Sequence, residues 1–193
     1  VSVGYLDQQS TLEKGMTIRE VLRTAFQGMY EMEQQMLDLY DKMGDATPEE
    51  LDKMMNTVGE IQSELEHSGF YSLDAKIEEV ANGLGLGSVG LDRDVADLSG
   101  GQRSKVLLTK LLLQNSNILL LDEPTNYLDV EHIEWLTKFL QNYEHAFILI
   151  SHDITFLNNV VNVIYHLENS NLTRYTGDYN RFQEMYAIYK SQQ

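Results

Sequence analysis

Asn117-Ile118-Leu119-Leu120-Leu121-Asp122-Glu123-Pro124 decides the fold. A short apolar run bounded by turn residues reads as a buried strand. In a parallel α/β sheet ligands bind at the carboxyl edge, so the two adjacent acids fall where chemistry takes place. Asp122 is suited to hold Mg²⁺, directly or through water. Glu123 is suited to orient or deprotonate an attacking water. Pro124 cannot donate to a strand ladder and ends the strand there. Working outward, Gly100–Leu113 reads as a helix before this strand and Val130–Tyr143 as an amphipathic helix after it. Ala146–Ile150 is a second buried strand, Ile154–Val160 a helix and Val161–Leu167 a third strand. Strands alternating with helices predict a parallel α/β sheet. Leu172–Tyr175 adds a short edge strand, and Asp178–Gln193 a final helix bearing Tyr179, Phe182, Tyr186 and Tyr189.

Two further stretches carry chemistry. Leu98-Ser99-Gly100-Gly101-Gln102 stands immediately before a helix. Glycines at a helix start expose backbone amides, the helix dipole adds partial positive charge, and Ser99 adds a hydroxyl, which together suit a phosphate. Arg103 and Lys105 follow closely. The strand Ala146–Ile150 runs into Ser151-His152-Asp153. A lone histidine is more often structural, but His152 is expected on the sheet edge that carries Asp122 and Glu123.

The first half of the chain has a different texture. Val1–Leu6 alternates and reads as a strand. Thr17-Ile18-Arg19-Glu20 has the form of a capping box, and apolar residues recur at helical spacing from Ile18 to Tyr40. Gly44–Asp45 ends that helix, and Thr47-Pro48-Glu49-Glu50 opens another with a second capping box and proline at the first helical position. The prediction is an antiparallel helical hairpin whose Met and Leu stripes are packing surface. Ser72–Leu84 is a third helix. Gly83-Leu84-Gly85-Leu86-Gly87 lacks a lysine and so reads as a helix end and turn rather than a phosphate loop.

Composition narrows the function. With 42% hydrophobic residues the 193-residue chain can bury a core, and the absence of cysteine excludes disulfides and thiolate metal sites. No apolar run approaches the ~20 residues of a membrane helix, so the expectation is a cytoplasmic protein without membrane insertion. A formal net charge of −16 repels free nucleic acid and anionic membranes. The hairpin itself is acidic: between Thr17 and Glu78 the bases are only Arg19, Arg23, Lys42, Lys53 and Lys76. Such an arm should not grip RNA phosphates through bulk electrostatics.

Taken in order, Leu98–Gln102, Leu119–Glu123, Leu128–Asp129 and His152 resemble the signature loop, Walker B strand, D-loop and switch histidine of an ATP-binding cassette ATPase. The resemblance implies ATP and Mg²⁺ as cofactors and a partial P-loop NTPase core with an inserted hairpin arm. It makes Glu123 and His152 the catalytic pair and assigns Asp122 to the metal. Ser99, Gly100, Gly101 and Gln102 would bind the nucleotide of a facing cassette, with Asp129 in the loop that couples the two halves. Gln8, with Gln9 as fallback, matches the Q-loop glutamine, a sensor of Mg²⁺ and of the attacking water. Glu123-Pro124-Thr125-Asn126-Tyr127-Leu128-Asp129 is similar to the soluble, ribosome-associated F subfamily, which usually has His where Tyr127 stands.

The resemblance divides the chain into core strand and Q-loop (1–16), hairpin arm (17–70), helical subdomain with signature loop (71–115), ATPase core (116–176) and the start of an interdomain linker helix (177–193). Its partners would be a second nucleotide-binding domain, in the same polypeptide or a dimer, and the ribosome. No G-x-x-x-x-G-K-[ST] occurs in the 193 residues, so that loop is expected upstream of Val1. The expectation is a fragment of a two-cassette ATPase, inactive alone for want of the loop's amides and lysine. Three readings stand beside it: the cytoplasmic ATPase subunit of a transporter, a chromosome-maintenance ATPase, and a non-enzymatic interaction module.

Overall fold

The computed structural model describes residues 1–6, 12 and 14–192. The chain divides into two compact units, one of Val1–Gln9, Gly83–Gly85 and Asn115–Gln193 and the other of Ser10–Asn82 and Leu86–Gln114.

The first unit is built on a parallel sheet of β1 (Val3–Tyr5), β2 (Ile118–Asp122) and β3 (Ala146–Ile150), with β2 central. Leu119 and Leu121 are completely buried on one face of β2, as the period of two demands. The register places Tyr5, Leu120 and Ile148 side by side on the other face, with Asp122 beside Ile150. That face is open: Tyr5, Ile148 and Ile150 keep 62%, 61% and 57% of their surface in solvent. Helix α6 (Val130–Gln141) follows β2 and α7 (Ile154–Val160) follows β3.

The third strand departs from expectation. β4 (Val163–Glu168) does not join the parallel sheet; it pairs antiparallel with β5 (Asn171–Thr176) over their whole length. The cause is the two-residue turn Asn169–Ser170, with φ of 51° and 63°. Positive φ at both positions is the geometry whose twist matches a tight hairpin. Helix α8 (Tyr179–Ser191) packs back on this hairpin: Phe182 stacks with Tyr186 and meets Tyr175 and His166. Tyr186 and Lys190 both hydrogen-bond the Glu168 carboxylate.

The second unit is helical. α1 (Ile18–Arg23) opens with the expected capping box: Thr17 Oγ1 accepts from the Glu20 amide and the Glu20 carboxylate accepts from the Thr17 amide. The single long helix predicted from Ile18 is in fact broken by a 3₁₀ turn at Thr24–Phe26. Thr24 donates its hydroxyl back to the Val21 carbonyl, a local bond that competes with the helical ladder. The break lets α1 lie on α5 (Gly100–Leu113) while α2 (Gln27–Lys42) packs on α3 (Pro48–His67). The second capping box, Thr47 with Glu50, starts α3 with Pro48 at its first position. The α2–α3 hairpin encloses its own core of Met36, Val58, Ile61 and Leu65, joined by Phe70 and Leu73 of the following segment. α4 (Leu73–Gly83) ends the helical run. Gly85, with φ of 87°, supplies the left-handed turn expected of the glycine-rich stretch.

Candidate functional site

The sheet edge of the first unit gathers three of the predicted residues. Asp122 is the last residue of β2 and lies beside Ile150, the last of β3. The Glu123 amide donates to the Ile150 carbonyl at 2.7 Å, so the two strand ends stay paired one residue beyond the ladder. Glu123 then turns left-handed, with φ of 47°. This conformation costs a residue with a side chain about 1–2 kcal/mol. Strand alternation therefore does not set the direction of Glu123; the turn does. Its carboxylate accepts from the His152 amide at 3.3 Å and pairs with the imidazole Nδ1 of the same residue. The Glu123 side chain is mostly covered, at 21% exposure, whereas that of His152 is open at 95%. With Nδ1 turned to the carboxylate, the ring Nε2 faces away from its acidic partner and is open to solvent; it donates only when the ring is an imidazolium and otherwise accepts.

Local chemistry builds the turns around this edge. The carbonyl of Glu123 accepts from Asn126 and that of Thr125 from Leu128, which folds Glu123–Leu128 into two consecutive turns. Tyr127 is left-handed within them, with φ of 67°. Asp129 caps α6 by accepting from the His132 amide at 3.1 Å and also pairs with the His132 ring. Asp153 caps α7 by accepting from Phe156, and Ser151 Oγ accepts from the Asp153 amide. His152 thus stands between a strand end and a capped helix, both fixed. Tyr143, whose hydroxyl donates to the Ser116 carbonyl at 2.6 Å, fixes the opposite end of β2. Burial raises its pKa above the ordinary phenol value.

In the second unit, Ser99 is the N-cap of α5. Its Oγ accepts from the Gln102 amide at 3.2 Å, and Gln102 Oε1 accepts from the Ser99 amide at 3.0 Å. The box uses a lone pair of Oγ and leaves its proton free to donate. The Gly100 and Gly101 amides occupy the first turn of α5, where a helix has no internal acceptors. Ser99 and Gly100 are exposed, and a Cβ at Gly100 would meet nothing within 4 Å. Gln102 is committed to the capping box by its carbonyl oxygen. Gln8 and its fallback Gln9 lie outside the described residues.

Sequence reasoning missed the Glu123–His152 pair and the left-handed turn that makes it. The capping roles of Asp129 and Asp153 had a signal, since each aspartate directly precedes a helix. Among the described residues no three His, Asp or Glu side chains converge as a metal cage.

Residues 1–126 match the family model described as ABC transporter. The chain is 61% identical over its whole length to the uncharacterized ABC transporter ATP-binding protein YfmM of Bacillus subtilis, of which it covers 37%. It is 35% identical over 187 residues to the energy-dependent translational throttle protein EttA of Mycobacterium tuberculosis, covering 96% of the chain and 32% of EttA. Over 72% of the chain it is 37% identical to the probable ATP-binding protein YheS of Escherichia coli, covering 23% of that protein. The chain therefore spans roughly a quarter to a third of the length of these curated relatives. Among solved structures, an ATP-binding subunit of an ABC transporter superposes with a TM-score of 0.61 at 16% identity, over 97% of this chain and 63% of that one. The archaeal ribosome recycling factor aABCE1, in complex with ribosomal stalk protein aP1, gives 0.56 at 20% identity, over 97% and 30%. The fold is that of an ABC ATPase domain, and the chain belongs to the ABC transporter family of ATP-binding proteins.

Proposed function

We propose that the chain is the Q-loop-to-linker part of the first cassette of a soluble, cytoplasmic F-type ATPase that works on translation. The carrying observation is the single sheet edge that holds Asp122, Glu123 and His152 together. A lone carboxylate at a strand end fits Mg²⁺, which is usually bound by one or two carboxylates plus substrate phosphates and water. Asp122, the last residue of β2, would hold that ion. When bound, Mg²⁺ neutralises charge on the β- and γ-phosphates. Glu123 accepts a proton from the attacking water, and His152, when its ring is protonated on both nitrogens, donates from Nε2 to the γ-phosphate oxygen on which charge develops. Ser99, Gly100 and Gly101 serve the other nucleotide of a two-cassette sandwich, offering a hydroxyl and two helix-start amides. Asp129 couples the halves through the turn that leads into α6. The hairpin arm and the likeness to EttA favour translation over transport. The 193 residues by themselves would turn over no ATP, because they contain no phosphate-cradling lysine loop.

Glu123→Gln in the full-length protein tests the base. ATP binding should persist while turnover falls by about 10²–10⁴-fold; turnover near the original rate would remove Glu123 from the role. Sedimentation of the full-length protein with ribosomes, with and without ATP, tests the partner. A membrane-embedded protein co-purifying in place of ribosomes would favour the transporter ATPase.

A further inference from the structure

From the surface of the α2–α3 hairpin we infer that one flank docks a basic amphipathic protein segment rather than nucleic acid. Leu37 and Tyr40 on α2 and Met55 on α3 are 43%, 48% and 58% exposed, although each helix has a buried stripe available in Met36 and Val58. Leu37 and Tyr40 follow Met36 by one and four residues, and Met55 precedes Val58 by three, rotations of about 100°, 40° and 60° in the same sense. In an antiparallel pair, equal senses of rotation from the facing line reach the same flank. The three apolar side chains therefore share one side of the hairpin.

Charge on that side has one sign. Asp41, Asp52 and Glu66 rotate to the same flank, by about 140°, 120° and 80°. Lys42 and Lys53 turn the opposite way, by about 120° and 140°. The arginines nearest the base of the arm are already engaged, Arg19 with Glu78 and Asp92, and Arg23 with Asp74. A surface of exposed Leu, Tyr and Met rimmed by carboxylates repels a phosphate backbone and complements a helix with apolar and Lys/Arg faces. Gly59 adds an independent mark. It lies within α3, about 100° from Val58 on the same flank, and a Cβ there would meet nothing within 4 Å. Glycine is among the poorest helix formers, and no neighbour in the chain needs the space. An approaching backbone would.

The test uses the full chain and three labelled probes: a helical Leu/Lys peptide with an apolar stripe, a Lys peptide of equal charge without the stripe, and a short RNA duplex. Anisotropy should show the striped peptide bound best and the duplex not bound. Leu37→Ser/Tyr40→Ser/Met55→Ser, which changes no charge, should weaken striped-peptide binding by about tenfold or more, as loss of a central apolar cluster does. Glu60→Gln/Glu64→Gln, on the other flank, should change it by less than about threefold. Gly59→Gln should raise the melting temperature yet weaken binding, a split that a purely structural glycine would not produce. The inference is overturned if the duplex binds as well as the striped peptide, if the triple variant or Gly59→Gln binds unchanged, or if the two flanks respond alike.

Discussion

Gly83→Ala is the substitution with the sharpest steric consequence in the first unit. A Cβ at Gly83 would stand 2.1 Å from Cε2 and 2.2 Å from Cδ2 of Trp135, in the body of the indole. Carbon atoms in contact prefer about 3.5–4.0 Å, so the ring must retreat by more than about an ångström. It is not free to do so cheaply, because it stacks on Phe139 at 5.3 Å between centroids. Forcing a methyl into such a place costs about 1–3 kcal/mol, and abandoning the stack costs about 0.5–1.5 kcal/mol beyond the lost burial. Replacing a helical glycine returns up to about 1 kcal/mol, and less here because Gly83 is the last residue of α4. The net expectation is destabilisation by about 1–4 kcal/mol, a fall of about 0.5–2 M in the urea midpoint at an m of about 2 kcal/mol/M. Trp135 is the sole tryptophan, so its emission reports the displaced ring directly, and a red shift should accompany the lower midpoint. In a Trp135→Leu background the alanine should become nearly harmless, and the coupling is the measured quantity. A higher midpoint, unchanged emission, or the same penalty in both backgrounds would refute the steric argument.

Other expectations are simpler. Leu65 is fully buried in the hairpin core, so Leu65→Ala should cost about 2–5 kcal/mol, with hydrogen exchange rising first in α2 and α3. Tyr143→Phe removes the hydroxyl that satisfies the Ser116 carbonyl and should cost about 0.5–1.5 kcal/mol in urea unfolding. Hydrogen bonds from Lys190 and Tyr186 hold the Glu168 carboxyl below its ordinary 4.5. Its contribution to α8 docking is therefore present above 4.5 and lost as pH falls through the lower folded value. Carboxyl NMR titration should find the depression, and Glu168→Gln should flatten the acid response of α8 helicity.

Much of this was legible because local signals agreed with global needs. Both capping boxes, Pro48 at its helix start and the apolar run into Asp122 each state one structure and obtain it. What escaped had competing local chemistry. Val163–Glu168 looks like any buried strand in a βαβ run, and only Asn169–Ser170, a less familiar left-handed pair than Asn-Gly, betrays the hairpin. The helix from Ile18 kept its periodicity through Thr24, so the pattern hid a break set by a hydroxyl and by a change of packing partner. At the site, residue types and order located Asp122, Glu123 and His152. The contact between Glu123 and His152 depends on a positive φ before proline, which periodicity does not encode.

The anchoring of α8 has a mechanical consequence. Glu168 grips two rungs of the helix, Tyr186 and Lys190, while Phe182 is wedged against Tyr175 and His166. The start of the same helix is tied to α7, the helix that begins two residues after His152: the Asn180 amide donates to Asn158 Oδ1 and Asn158 Nδ2 donates back to Asn180 Oδ1, so hairpin, α8 and α7 are fastened to one another at both ends of α8.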